Sequence, residues 1–299
     1  MLRVAAAQIA PVLFDAEATA ARVVASIRDA AAQGVALVAF GECFLPGYPA
    51  WLSAGGGARF EEPEIKDAYR RYLEASVTLD GGPVASIRAA CAEHRVTAVV
   101  GVLERAPSAG TGYCTALVID EDGEVVLAHR KLMPTYEERL VWGAGDGHGL
   151  RTFDVRGVTV SVLNCWENWM PLARAALYAQ GPQLHLALWP GTDRNTVDIT
   201  RFVATEGRMF VLSASGRMAF EDVPADFELG QRLGDAWTRN GGSAVAAPDG
   251  TWVREPDTAT DGLVIADIDP RQVLAARTTF DPAGHYSRPD VLKLTVDRG

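Results

Sequence analysis

Cysteine is scarce in these 299 residues. Only Cys43, Cys91, Cys114 and Cys165 occur, far apart and without a CxxC pair. That excludes a disulfide scaffold and points to a reducing compartment, each thiol being either core filler or reactive. The five histidines (His94, His129, His148, His185, His285) show no metal-ligand spacing, which argues against zinc or any other bound metal. Positive charge is in deficit: 28 Lys and Arg face 38 Asp and Glu, a formal charge of −10, with no basic run. Such a chain is a poor partner for nucleic acid or an anionic membrane. No apolar run approaches the roughly 18 residues that a membrane helix needs. VAAAQIA (4–10) has the look of a short signal core, but Gln8 interrupts it, Pro11 follows, and only Arg3 adds positive charge. It reads as a strand, and the protein as cytoplasmic.

What is present is ordinary for a globular chain, with 48% hydrophobic and 22% charged residues. A chain of this length buries most of its apolar surface without staples. No composition break, internal repeat or low-complexity tract marks a boundary. One domain over 1–299 is expected, with a short irregular tail from about 278.

Short apolar runs alternate with helical patterns. RVAAAQI (3–9), VALVAF (35–40) and TAVVGVL (97–103) read as buried strands. Ala18, Val23, Ile27 and Ala31 predict a helix over 15–33, closed by Gly34. Further helices are expected at 63–78 and 83–95, each with a proline in its first turn. Asp-Gly turns predict hairpins at 113–130 and 243–255, and Arg156-Gly157 another at 150–163. Helices are expected at 170–180 and 193–208, and strands at 184–189, 210–215 and 263–269. Residues 217–240 read as irregular surface loop. Strands joined by both helices and hairpins imply an α/β fold, a mixed sheet with helices outside it.

Sites in such sheets are built at strand ends. Cys91, inside a helix, and Cys114, inside a strand, read as core. Cys43 and Cys165 each lie just past a buried strand. Cys165 follows VTVSVLN (158–164) and precedes a helical run, a geometry that exposes a nucleophile. The same residues also fit one more buried cysteine at a strand end. Glu42 follows a fully apolar strand, where a charge is costly unless paired or working. EVVLAHR (124–130) runs into Lys131, which places an ammonium at another strand end. Carboxylate, ammonium and thiol together suit nucleophilic catalysis, while Glu42 and Lys131 alone suit a structural ion pair equally well. No histidine lies in a context that matches a base for the thiol.

The segments GECFLPGYP (41–49), HRKLMPTYEERLVWGAGDG (129–147) and LNCWENWMPLARAAL (163–177) resemble, in order, the nitrilase superfamily of carbon–nitrogen hydrolases. RVAAAQIAPV (3–12) and GGSAVAAPDG (241–250) also fit, so the resemblance covers essentially the whole chain. It implies a four-layer α-β-β-α sandwich and a catalytic triad of Glu42, Lys131 and Cys165. The family's second glutamate falls on Glu138, and the Trp166 backbone N–H is implied as oxyanion donor. CWEN and the tail motif GHYSRPDVL (284–292) resemble true nitrilases more than the amidase or carbamoylase branches.

The implied reaction turns a small-molecule nitrile into its carboxylic acid and ammonia, without cofactor or metal. Alternatives are an aliphatic amidase or carbamoylase on the same triad, a cyanide-hydrolysing variant, or a silent scaffold. The resemblance also implies a homodimer or larger assembly. ALWPG (187–191) departs from the family pattern, and the chain ends soon after the tail motif. Trp51, Trp166, Trp169 and Trp189 are expected to favour an apolar substrate, with Tyr48 and Trp189 near the pocket. The glycines of 143–147 are expected to let a loop pass close to the active site, with no dinucleotide role.

Overall fold

The N-terminal half of the chain supplies β1 (Leu2–Gln8), β2 (Leu37–Ala39), β3 (Thr97–Arg105), β4 (Gly112–Ile119) and β5 (Val125–Arg130) in a computed structural model that describes residues 1–108 and 110–299. The C-terminal half supplies β6 (Phe153–Val155), β7 (Val158–Asn164), β8 (Leu184–Trp189), β9 (Phe210–Ser215), β10 (Arg217–Met218), β11 (Arg239–Asn240), β12 (Ser243–Ala246), β13 (Trp252–Asp257) and β14 (Gly262–Ile268). The helices are α1 (Ala16–Ala32), α2 (Trp51–Ala54), α3 (Pro63–Glu74), α4 (Gly82–His94), α5 (Pro171–Tyr178), α6 (Asp193–Gly207), α7 (Glu228–Leu233) and α8 (Arg271–Arg277).

Twelve of these strands form two six-stranded sheets, β14-β1-β2-β3-β4-β5 and β13-β12-β9-β8-β7-β6, and β10 and β11 pair in a separate ribbon. The single mixed sheet read from the runs alone is therefore two, and the four-layer sandwich implied by the resemblance is the architecture observed. Period-two alternation explains the layers. Val4 and Ala6 of β1 meet Leu186 and Leu188 of β8 in one core between the sheets. Ala5 and Ala7 point the other way, onto Val23 and Ile27 of α1 and Val84 and Ile87 of α4. Ala187 and Trp189 of β8 likewise pack outward on Ile199 and Val203 of α6. With both faces covered, the central strands read as unbroken apolar runs.

Within each sheet the parallel strands lie side by side, β1-β2-β3 in one and β7-β8-β9 in the other. The carboxyl ends of β2, β7 and β8 thus converge with the end of β5. Asp15 caps α1 by accepting from Ala18 N at 2.9 Å, so the helix begins where the polar residue precedes the apolar spacing.

Residues 217–240 are not a surface loop. They hold the β10–β11 ribbon, α7 and two 3₁₀ turns, and bury Met218, Val223, Phe227 and Trp237 against Trp51 and Tyr72. Their apolar residues follow neither period, because short turns present them singly. The helix α8 was also not legible. Beyond it the tail carries no helix or strand, and its end returns to the 147–150 loop, where Arg298 Nη2 donates to Leu150 O at 3.3 Å.

Candidate active site

Glu42, Lys131 and Cys165 come together from three strand ends. Lys131 Nζ donates to Glu42 Oε1 at 2.7 Å and to Glu138 Oε2 at 2.6 Å. An oxygen of each glutamate and the Cys165 sulphur lie within 4.8 Å of one another. The Lys131 and Glu42 side chains have no exposed surface. Carboxylate and thiolate donors at this spacing resemble a metal site, but the Lys131 ammonium fills the position between the carboxylates that a cation would take.

Backbone contacts fix each group. Lys131 N donates to Cys114 O at 2.8 Å, and Gly145 N donates to Lys131 O at 2.8 Å. A Cβ on Gly145 would stand 2.6 Å from that same carbonyl, so the glycine-rich loop passes as close to the site as expected. Glu42 N crosses between the sheets to donate to Trp189 O at 3.1 Å. Cys165 sits at φ 47°, a left-handed conformation costly for a non-glycine residue and frequent at functional sites. A 3₁₀ turn (Cys165–Trp169) separates β7 from α5, where the sequence suggested one sharp turn into a helix.

Asn168 Nδ2 holds the turn by donating to Cys165 O at 2.8 Å. Its Oδ1 therefore faces His185 Nε2, also at 2.8 Å, which must carry the proton. Burial pushes His185 down to about 3, so the ring is neutral and Nδ1 accepts from Ser161 Oγ. Glu138 is held as firmly: Tyr48 OH donates to Oε1 at 2.9 Å, and Thr135 N to Oε2 at 2.6 Å.

Burial pushes the Glu42 carboxyl up to about 7, against the pull of Lys131. Burial alone would lower Lys131, but Glu42, Cys165 and Glu138 outweigh it and hold the ammonium charged. Burial and the nearby Glu42 push the Cys165 thiol well up, while Lys131 and the Trp166 N–H favour thiolate. A protonated thiol beside a carboxylate that titrates near neutrality is an acid–base pair. Glu42 Oε2 is buried with no partner among the described residues, which leaves one oxygen free for a proton.

Cys165 opens into a cleft of about 280 Å³ that Tyr48, Glu138, Trp166, Asn195 and Arg239 also line. Trp166 is 55% exposed at its edge. Trp189 lies outside the cleft: alternation along β8 turns its ring under α6, where Nε1 donates to Ser213 Oγ at 3.2 Å. Only its carbonyl reaches the site. Trp51 is buried against Tyr69 and Tyr72, and Trp169 stacks on Phe202 at the surface. The tryptophan-walled apolar pocket is thus corrected to a cleft with hydroxyl, amide and guanidinium groups.

Cys43 is buried with its sulphur 2.9 Å from Tyr72 OH, and Cys91 is core in α4. Cys114 is nearer the chemistry than expected, its sulphur 3.7 Å from Glu42 Oε1. Sequence reasoning missed Glu167, His129 and Arg239. Glu167 stands two residues after Cys165 and His129 two before Lys131, so spacing from the chosen pair was the available signal.

The carbon–nitrogen hydrolase family model matches residues 3–278. A protein named nitrilase from Bradyrhizobium diazoefficiens is 40% identical over 93% of this chain and 87% of its own. An aliphatic nitrilase of Sinorhizobium fredii is 38% identical over 99% of this chain and 95% of its own. Nitrilase 2 of Arabidopsis thaliana is 36% identical over 99% and 89%. Among solved structures, an amidase of the nitrilase superfamily from Nesterenkonia superposes with a TM-score of 0.67 over 93% of this chain and 94% of that one. At 20% identity that likeness shows the fold alone. With the family model across nearly the whole chain and relatives this similar over most of their length, the protein belongs to the carbon–nitrogen hydrolase family.

Proposed function

We propose that this chain is a nitrilase that converts an organic nitrile to its carboxylic acid and ammonia through a covalent intermediate on Cys165. The observation that carries the reading is the buried cluster of Glu42, Lys131, Glu138 and Cys165 at the foot of an open cleft. Relatives named nitrilase, matched over almost their full length, support the same reaction.

Glu42 Oε2 takes the thiol proton as the sulphur adds to the nitrile carbon. Glu42 hands that proton to the nitrile nitrogen, which gives a thioimidate and restores the carboxylate. Glu42 then draws a proton from water, which adds to the same carbon. That proton passes to the nitrogen, ammonia leaves, and a second water cleaves the remaining thioester to release the acid and restore the Cys165 thiol. Lys131 and the Trp166 N–H stabilise the negative charge that develops at each addition, in a site dry enough to strengthen them. Glu138 holds the ammonium in position. The covalent thioester itself divides one hard step into easier ones.

The same reading has the chain acting in the cytoplasm as a homodimer or larger assembly. No helix among the described residues is long and apolar enough to cross a membrane. Exposed Trp169, Leu172, Val197 and Phe202, on and beside α5 and α6, support a face that a second copy covers.

Intact-mass analysis with a slow nitrile tests the assignment. A single adduct that disappears in Cys165→Ala is expected. An adduct on Cys114 or Cys43 contradicts it.

A further inference from the structure

The active-site cleft contains a cation that no carboxylate among the described residues neutralises. Arg239 lies in β11, opposite Met218 in β10, and lines the cleft together with Cys165. Its Nη1 donates to Ala236 O at 3.1 Å and Thr238 O at 3.0 Å, which anchors the fork from behind. Nε and Nη2 have no acceptor, and no carboxylate lies within 4.0 Å, among the described residues. Gly191 closes the other side: a Cβ there would stand 2.9 Å from Arg239 Cβ. The position is therefore built, and two donors of a rigid planar fork are left without a protein acceptor among the described residues in a residue that lines the cleft.

Three other cations are paired with carboxylates, whereas Arg217 on the same ribbon, like Arg239, meets only backbone carbonyls among the described residues. Lys131 is held by two glutamates, Arg130 by Glu104 and Arg174 by Glu206. Burial draws the Arg239 guanidinium below its usual range, and only Tyr48 works against it. A half-buried cation of this kind is costly unless an anion completes it. The catalytic cluster makes the need sharper. Glu42 and Glu138 share the single charge of Lys131, so a substrate carboxylate entering alone would meet repulsion.

We infer that Arg239 is an anion subsite and that the preferred substrates are short nitriles bearing a carboxylate. This rests on the nitrilase reading above. The guanidinium fork pairs the carboxylate through Nε and Nη2 while the nitrile end meets Cys165. Glu137 also lines the cleft and does not pair with Arg239, so an ammonium-bearing nitrile is the natural competing class.

The test compares kcat/KM of the wild type for short ω-cyano carboxylates, uncharged nitriles of equal length and ω-amino nitriles. The carboxylates are expected to lead by at least about tenfold, a charge-assisted hydrogen bond's worth, and the lead to shrink as salt rises. Arg239→Gln is expected to bring the ratio of carboxylate to neutral substrate close to one through KM, and Arg239→Lys to keep part of it. Equal or better turnover of neutral or ammonium nitriles by the wild type overturns the inference, whether or not the variants fold. An equal fractional loss on all three classes in Arg239→Gln also overturns it, by making the residue structural. If no nitrile reacts but amides do, the nitrilase reading fails, and the same three substituents on amides still decide the role of Arg239.

Discussion

The His129 ring donates from Nε2 to Glu167 Oε2 at 2.8 Å, with neither side chain exposed. The same carboxylate accepts from Asn164 N at 3.0 Å and from Leu132 N at 2.8 Å. Those amides flank Cys165 and Lys131 in the sequence. One buried carboxylate thus ties the strand end that carries the nucleophile to the strand end that carries the ammonium.

Glu167→Gln keeps the shape but removes the charge that holds these donors. A loss of about 1–3 kcal/mol in stability is expected, the cost of leaving buried donors underpaired. The fall in activity should lie in kcat more than in KM, because Glu167 does not line the cleft. Burial alone would raise the Glu167 carboxyl, but His129 and the two amides hold it below the usual carboxylate range. A depressed pKa adds stability that is present above the unfolded value, about 4.3, and lost as pH falls through the folded one. Chemical denaturation across acid pH should therefore show the wild type converging on Glu167→Gln below about pH 4. A constant gap would contradict this role.

Glu138→Gln weakens the hold on Lys131 that Tyr48 and Thr135 help to orient. Turnover should fall by about 10²–10⁴-fold, as for other positioning and acid–base groups. Tyr48→Phe removes a single hydrogen bond to a charged group and should cost roughly tenfold. A Glu138→Gln enzyme within tenfold of wild type would make that carboxylate a bystander.

The pH profile follows from Glu42. Its carboxyl is raised to about 7, and the ionised form is the base. The acid limb of kcat/KM should fall away below about 7. Stability should move the opposite way, because the folded state holds this proton more tightly than the unfolded chain. Between about 4.3 and 7 this group lowers stability as pH rises. Glu42→Gln should remove both effects. An acid limb near 4 would leave the base unraised.

Much of this was legible in the sequence because the site sits at strand ends. The apolar runs before Glu42, Lys131 and Cys165 announced buried strands, and the motifs named the residues that follow them. What resisted reading depends on contacts distant in sequence. Trp189 looked like a pocket wall, but one step of β8 alternation turns it under α6. Arg239 carries no local signal, since its meaning comes from the carboxylate it lacks. Glu167 takes its role from a contact distant in sequence, the Leu132 amide that the fold brings to it. Residues 217–240 hid a buried segment because short turns have no period to detect.

The most direct measurement is ammonia release from matched nitriles and amides of the same acid. At the reacting centre, Tyr48, Lys131 and Thr135 already occupy the Glu138 oxygens, while Glu42 Oε2 is unpartnered among the described residues. A nitrile brings no N–H donor and needs no more acceptors than that. A primary amide brings two N–H donors as well as an oxygen, and any donor that finds no acceptor there costs about 1–3 kcal/mol. The wild type should turn over the nitrile with kcat/KM at least about tenfold above the amide across several pairs. Faster hydrolysis of the amides across the same pairs would place this triad in the service of amide hydrolysis and contradict the account.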